Sequence, residues 1–80
     1  MQFKILQMLT FQLKTDYIEL IKLLKVMKLV QTGGHAKIVV EEGEVMLNGE
    51  TEYRKRAKLR NGDVVEFEGQ KVKIVDAPEK

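Results

Sequence analysis

The stretch Gly43-Glu44-Val45-Met46-Leu47-Asn48-Gly49-Glu50 marks a change of period in the chain. Val45 and Leu47 alternate with Glu44 and Met46, the spacing of a half-buried strand. Asn48-Gly49 follows directly. Both residue types tolerate positive φ, and such a pair beside an alternating segment is the strongest short signal for a β-hairpin. Gly43, just ahead, suits the left-handed residue that closes a helix. The segment therefore stands at a boundary, with helix before it and sheet after it.

Working upstream, Ala36, Val39 and Val40 share one side of a helix expected from Gly33 to Glu42, with Thr32 as its N-cap. Before that, Tyr17, Leu20, Leu23, Leu24 and Met27 recur at helical spacing, and Lys22 and Lys25 fall on the opposite side. Thr15-Asp16, with Glu19 three residues after Asp16, reads as a capping box that starts this helix at Tyr17. Thr10 to Lys14 alternates polar and apolar, the pattern of a strand. Residues 1–9 are set apart as an N-terminal extension of unassigned order, since Met8 could be an alternative start. Working downstream, Asn61-Gly62-Asp63 and Glu68-Gly69-Gln70 are turns, Val64 to Phe67 a strand, and Val72 and Ile74 the core of a last strand. Residues 76–80 are expected to form a tail. Strand, helix, helix and several short strands give an α+β fold in one domain over residues 10–75, two helices on a small, mostly antiparallel sheet.

Composition narrows the functions open to such a fold. Eighty residues make one domain with a small core and little room for a deep catalytic cavity, so function is expected on the surface. Cysteine and serine are absent, which removes disulfides, thiolate metal sites and serine nucleophiles. His35 is the single histidine, without a soft partner ligand. No GxxxxGK[ST] or GxGxxG loop surrounds Gly33-Gly34. The expectation is a protein without catalysis, cofactor or metal. No apolar run is long enough to span a membrane. No signal peptide is read at the start, and a cytoplasmic setting is expected.

The net charge is only +2, so the distribution of charge matters more than its sum. Five of the eight residues of Tyr53-Arg54-Lys55-Arg56-Ala57-Lys58-Leu59-Arg60 are basic, and all three arginines of the chain are among them. If the segment is extended, Arg54, Arg56, Lys58 and Arg60 share one face at roughly 7 Å spacing, close to the repeat of phosphates along a nucleic-acid strand. Arginine suits that ligand through its planar donor fork. A charge run is as often a solvated edge. The Glu41, Glu42 and Glu44 cluster suggests a two-sided molecule, able to bind an anion in spite of its small net charge. Phe11, Tyr17 and Phe67 fit core positions, and only Tyr53 borders the basic run. Any nucleic acid is therefore expected to be read by shape and phosphate rather than base by base.

Four pieces of sequence now carry a resemblance: Gln31-Thr32-Gly33-Gly34-His35-Ala36-Lys37, then Gly43 to Glu50, then Arg54-Lys55-Arg56-Ala57-Lys58-Leu59, then Gly62-Asp63-Val64-Val65-Glu66. In this order and spacing they resemble an S4 domain, and more narrowly the short stand-alone bacterial S4-like proteins. The resemblance implies an αL-type fold that binds structured RNA along the helix pair and the loop that follows. Ribosomal or tRNA-like RNA is the expected partner, and no membrane association and a monomeric state are expected beside it. It carries RNA-binding positions over to Lys37, Arg54, Lys55, Arg56 and Lys58. Arg60 continues the ridge, and Lys22, Lys25 and Thr32 are placed on the same expected surface. Larger S4 domains begin the first helix with Arg-Leu-Asp, where this chain reads Glu19-Leu20-Ile21, and put an arginine where it has Gly33. Two other readings stay open. One is a module that binds an acidic protein through the same ridge. The other is a ubiquitin-like sulfur carrier, which would need a C-terminal Gly-Gly where this sequence ends Ala77-Pro78-Glu79-Lys80.

Overall fold

The computed structural model describes residues 7–78. The chain runs β1 (Gln7–Leu13), β2 (Ile18–Glu19), α1 (Leu20–Val26), α2 (Gly33–Glu41), β3 (Val45–Leu47), β4 (Glu50–Thr51), β5 (Lys58–Leu59), β6 (Val64–Phe67) and β7 (Gln70–Asp76). A five-stranded sheet has the order β1-β7-β6-β3-β4, and β2 and β5 form a separate antiparallel pair. Within the large sheet only β1 and β7 are parallel. This is the expected two-helix, mostly antiparallel α+β architecture.

Both expected hairpins close through two residues with positive φ. They are Asn48 and Gly49 between β3 and β4, and Glu68 and Gly69 between β6 and β7. That geometry matches the twist of the strands it joins. The alternation of the sequence becomes the alternation of faces. Val45, Val65, Phe67, Val72 and Ile74 are buried under the helices, while Lys71 and Lys73 point to solvent. Leu20, Leu23 and Leu24 from α1 and Ala36, Val39 and Val40 from α2 complete the core. Fully burying one such aliphatic side chain stabilises by about 1.5–3 kcal/mol.

Both helices end in the same two-bond motif. At α2, Glu44 N–H donates to Val39 O and Gly43 N–H to Val40 O, with Gly43 left-handed at φ 76° as the sequence required. At α1, Leu29 N–H donates to Leu24 O and Lys28 N–H to Lys25 O, and here the left-handed residue is Lys28 at φ 61°. A residue with a Cβ in that conformation costs about 1 kcal/mol more than glycine would.

Three sequence expectations change. First, α1 begins at Leu20, not Tyr17. Asp16 caps nothing, and Glu19 occupies the cap position without a side-chain hydrogen bond. Ile18 and Glu19 instead pair with Leu59 and Lys58. The long-range pairing buries Ile18 and Leu59 together, which outweighs the local preference for helix. Second, the first strand reaches back to Gln7, so residues 7–9 of the expected extension belong to the sheet. Residues 1–6 lie outside the described residues. Third, Asp76 ends β7, and Ala77 N–H donates to Leu13 O at 3.0 Å, so the expected tail begins inside the sheet. Residues 79–80 again lie outside the described residues.

Candidate functional site

The basic run does not form a strand. Only Lys58–Leu59 pairs, and residues 55–56 make a turn closed by Ala57 N–H donating to Arg54 O at 3.1 Å. The reason lies at the start of α1. The first amides of a helix have no partner within it. Here Leu20 N–H donates to Ala57 O at 2.9 Å and Ile21 N–H to Lys55 O at 3.1 Å. The loop's own carbonyls cap the helix. Ala57 and Leu59 are buried beneath the loop as its pins. A straight ridge of Arg54, Arg56, Lys58 and Arg60 is therefore not formed.

The bend splits the run into two arms. In the first arm each cation meets a carboxylate. Arg54 Nε donates to Glu52 Oε2 at 2.8 Å and its Nη2 to Glu52 Oε1 at 3.2 Å. Lys55 Nζ donates to Glu41 Oε2 at 2.8 Å. The hydrogen bond from Arg54 holds the Glu52 carboxyl below its ordinary range, and the same pair holds the guanidinium above its own. The hydrogen bond and charge of Lys55 likewise lower Glu41, with a smaller contribution from Lys37 one turn earlier. The acidic end of α2 thus touches the basic run, where the sequence suggested opposite sides of the molecule.

In the second arm, Arg56, Lys58 and Arg60 have no carboxylate within ion-pair distance among the described residues. Lys58 Nζ stands 4.9 Å from the centre of the Tyr17 ring, and the Arg60 guanidinium carbon stands 5.5 Å from it. Both distances are within cation–π range. Tyr17 is half-buried and forms the platform of this arm, which corrects its expected role as plain core. Arg60 is fixed from behind, where its N–H donates to Asp63 Oδ2 at 2.8 Å. Asp63 Oδ1 in turn accepts from Asn48 Nδ2 at 3.0 Å, and Asn48 Oδ1 accepts from Val64 N–H at 2.9 Å. The hairpin turn of β3 and β4 so braces the end of the basic arm.

Beside this arm lies an open cleft of about 830 Å³ between the end of β1 and the start of α1. Its walls include Gln12, Lys14, Tyr17, Glu19, Lys22 and Arg56. A shallower hollow of about 390 Å³ is lined by Arg54, Arg56, Ala57 and Lys58. Arg56 borders both and joins them into one surface. Lys22 and Arg56, far apart in sequence, both line this cleft. Lys25 and Lys37 are exposed on their helices but line neither hollow. Thr32 serves α2 as its cap, its Oγ1 accepting from His35 N–H at 3.0 Å. Gln12, Lys14 and Tyr17 were missed as site residues. Their only sequence signal was that a lysine and a tyrosine flank Thr15-Asp16, which reads equally well as a helix start.

The S4 domain family model matches residues 11–75. This chain belongs to the S4 domain family. YbcJ of Escherichia coli strain K12, a protein named for RNA binding, is 42% identical over 69 residues, covering 85% of this chain and 99% of that protein. RlbA of Bacillus subtilis strain 168, named as a probable ribosome maturation protein, is 46% identical over 55 residues, covering 69% of this chain and 78% of that protein. The solution structure of E. coli YbcJ, described as revealing an αL motif involved in RNA binding, superposes with a TM-score of 0.67 at 39% identity. It covers 94% of this chain and 96% of that one. The S4 domain seen here thus keeps the fold of a solved relative along nearly its whole length. Among its described residues, no group of histidine and carboxylates is placed to hold a metal ion, and no helix is long and apolar enough to cross a membrane.

Proposed function

We propose that this S4 domain binds structured RNA without catalysing a reaction, through the unpaired arm Arg56, Lys58 and Arg60 and the adjoining cleft with Lys22. The observation that carries the reading is the platform at Tyr17. Two cations gathered over one ring, next to a cleft lined by three further cations, Lys14, Lys22 and Arg56, form a compact positive surface in which, among the described residues, no cation is ion-paired. Such a surface suits phosphates that are close together in space, as they are in folded RNA. Lys37, Lys25 and Thr32 lie on the helices outside the two hollows, and Arg54 and Lys55 meet RNA with their charge already partly neutralised by Glu52 and Glu41.

The names of the relatives point the same way, one to RNA and one to ribosome maturation. In this reading the binding unit is the 10–75 domain acting as a monomer in the cytoplasm, and the RNA is ribosomal or tRNA-like. The deciding experiment titrates the protein against a folded ribosomal RNA fragment and an unstructured strand of equal length at two salt concentrations. Tighter, salt-sensitive binding to the folded fragment is the expected result. Equal, weak binding to both would leave only a generic cationic surface, and the search would turn to an acidic protein partner.

A further inference from the structure

Glu19 does not fit a cleft that receives only phosphate. It lines the same walls as Lys14, Lys22 and Arg56 and is half-buried there. Among the described residues no cation lies within ion-pair distance of it. Its cross-strand neighbour Lys58 turns its ammonium to the Tyr17 ring instead. Glu19 also does no capping work for α1. An acceptor-only group thus stands unpaired in an anion-attracting cleft, where it would repel a phosphate placed beside it.

We infer that the cleft takes one unpaired guanine of the bound RNA, with the Glu19 carboxylate accepting hydrogen bonds from the Watson–Crick edge of that base. The inference rests on the RNA-binding reading above and names what the cleft selects. A carboxylate offers two parallel acceptors. Guanine is the base whose Watson–Crick edge offers two adjacent donors, N1–H and the 2-amino group. Adenine and cytosine set one amino group beside an acceptor, and uracil sets one imino group between two carbonyls, so each brings a lone pair against the carboxylate. Gln12, which also lines the cleft, carries the amide donor that guanine O6 requires. Tyr17 supplies an aromatic side chain in the wall for the base, and Lys22 and Arg56 are at hand for the flanking phosphates. A volume of about 830 Å³ falls within the range of small-ligand clefts and accommodates one nucleotide. The edge is free only in an unpaired base, so the target is a bulge, a loop or a strand end.

The test uses four RNA hairpins that differ only in one bulged nucleotide, G, A, C or U, titrated by fluorescence anisotropy at fixed salt. Expected for the native chain is a preference for the G bulge on the order of tenfold, the scale of one well-paired base edge. Glu19→Gln should erase that preference while leaving the other three hairpins bound as well as before or better. Lys22→Ala should weaken all four alike. If the native chain binds all four hairpins equally and with salt dependence, the guanine assignment is overturned and the RNA-binding reading stands. If none is bound in a salt-dependent way, both are overturned. A preference for G that survives Glu19→Gln overturns the role of Glu19. Circular dichroism checks the fold of the variant, and the comparison within the native chain decides the base preference even should Glu19→Gln fail to fold.

Discussion

Arg54 and Lys55 share a loop with Arg56, Lys58 and Arg60, yet the two groups face different surroundings. The first two are each held by a carboxylate, Glu52 and Glu41. The other three have no such partner among the described residues, and two of them gather over Tyr17. Sequence composition counts all five as equal positive charges. The structure ranks them, because a cation already bonded to a carboxylate has its charge partly neutralised and some of its donors engaged, and so gains less from a phosphate. The turn at residues 55–56 is what separates the arms, and it exists because the carbonyls of Lys55 and Ala57 cap α1.

The most severe way to break the comparison is to pull the pin from the loop. Leu59 is fully buried and pairs with Ile18. Leu59→Ala should cost about 2–5 kcal/mol of stability, as core truncations do. At about 4–8 °C per kcal/mol for a domain of this size, a thermal melt will read it. A cost below about 1 kcal/mol, the worth of an ordinary hydrogen bond, would mean that the loop is held by its backbone hydrogen bonds alone.

The arms themselves are set against each other by charge removal. Replacing Arg56, Lys58 and Arg60 by alanine should lower the salt dependence of RNA binding by about 0.9 in slope for each phosphate no longer neutralised, so up to about 2.7. Replacing Arg54 and Lys55 should lower it by less than about 0.9. Equal reductions in the two variants would show that the carboxylate pairs are no obstacle to binding and would erase the distinction.

A smaller effect sharpens it from the other side. Glu41→Gln with Glu52→Gln should free the first arm and tighten RNA binding a few-fold, since an exposed ion pair is a weak restraint. The smallest effect is on acid stability. Both carboxyls titrate below the ordinary 4.5 because Lys55 and Arg54 favour their charged forms. Their contribution is therefore present above the unfolded-state pKa and is lost as pH falls through the lowered folded-state values. In acid melts below about pH 4.5 the native chain should lose slightly more stability than the double variant. The reverse order would contradict the direction of both shifts.

How much of this was legible depended on whether a feature was local. Asn48-Gly49, Gly43 and the Val72/Ile74 alternation announce turns, a helix end and a strand face through residues near in sequence, and each is found where the sequence put it. The start of α1 was misplaced because Tyr17 continues a helical spacing, while the two-residue pairing of Ile18 and Glu19 with Leu59 and Lys58 joins distant parts of the chain and leaves no periodic trace. The bend in the basic run had one faint sign, the small apolar Ala57 among charges, which marks a buried point in a loop otherwise exposed. The cleft was not legible, because it is assembled from the ends of β1 and α1 and from Arg56, and no motif joins them. The carboxylate pairs were hidden for the same reason in the case of Glu41 and Lys55. Glu52 and Arg54 are two residues apart, and their pairing could have been anticipated.

The parallel register of β1 on β7 has a consequence for how the chain comes to exist. The two outermost described strands in sequence are neighbours in the sheet, with Gln7 beside Gln70 and Leu13 beside Asp76. The rest of the sheet, the β3–β4 and β6–β7 hairpins and the β3–β6 pairing, lies wholly within the second half of the chain and can close as that half emerges from a ribosome. The first strand must wait, its hydrophobic residues Leu9, Phe11 and Leu13 uncovered, until the last strand has been synthesised and can receive it. Completion of the sheet is thus tied to synthesis of β7, and a chain cut short before β7 would leave the first strand without its place in the sheet.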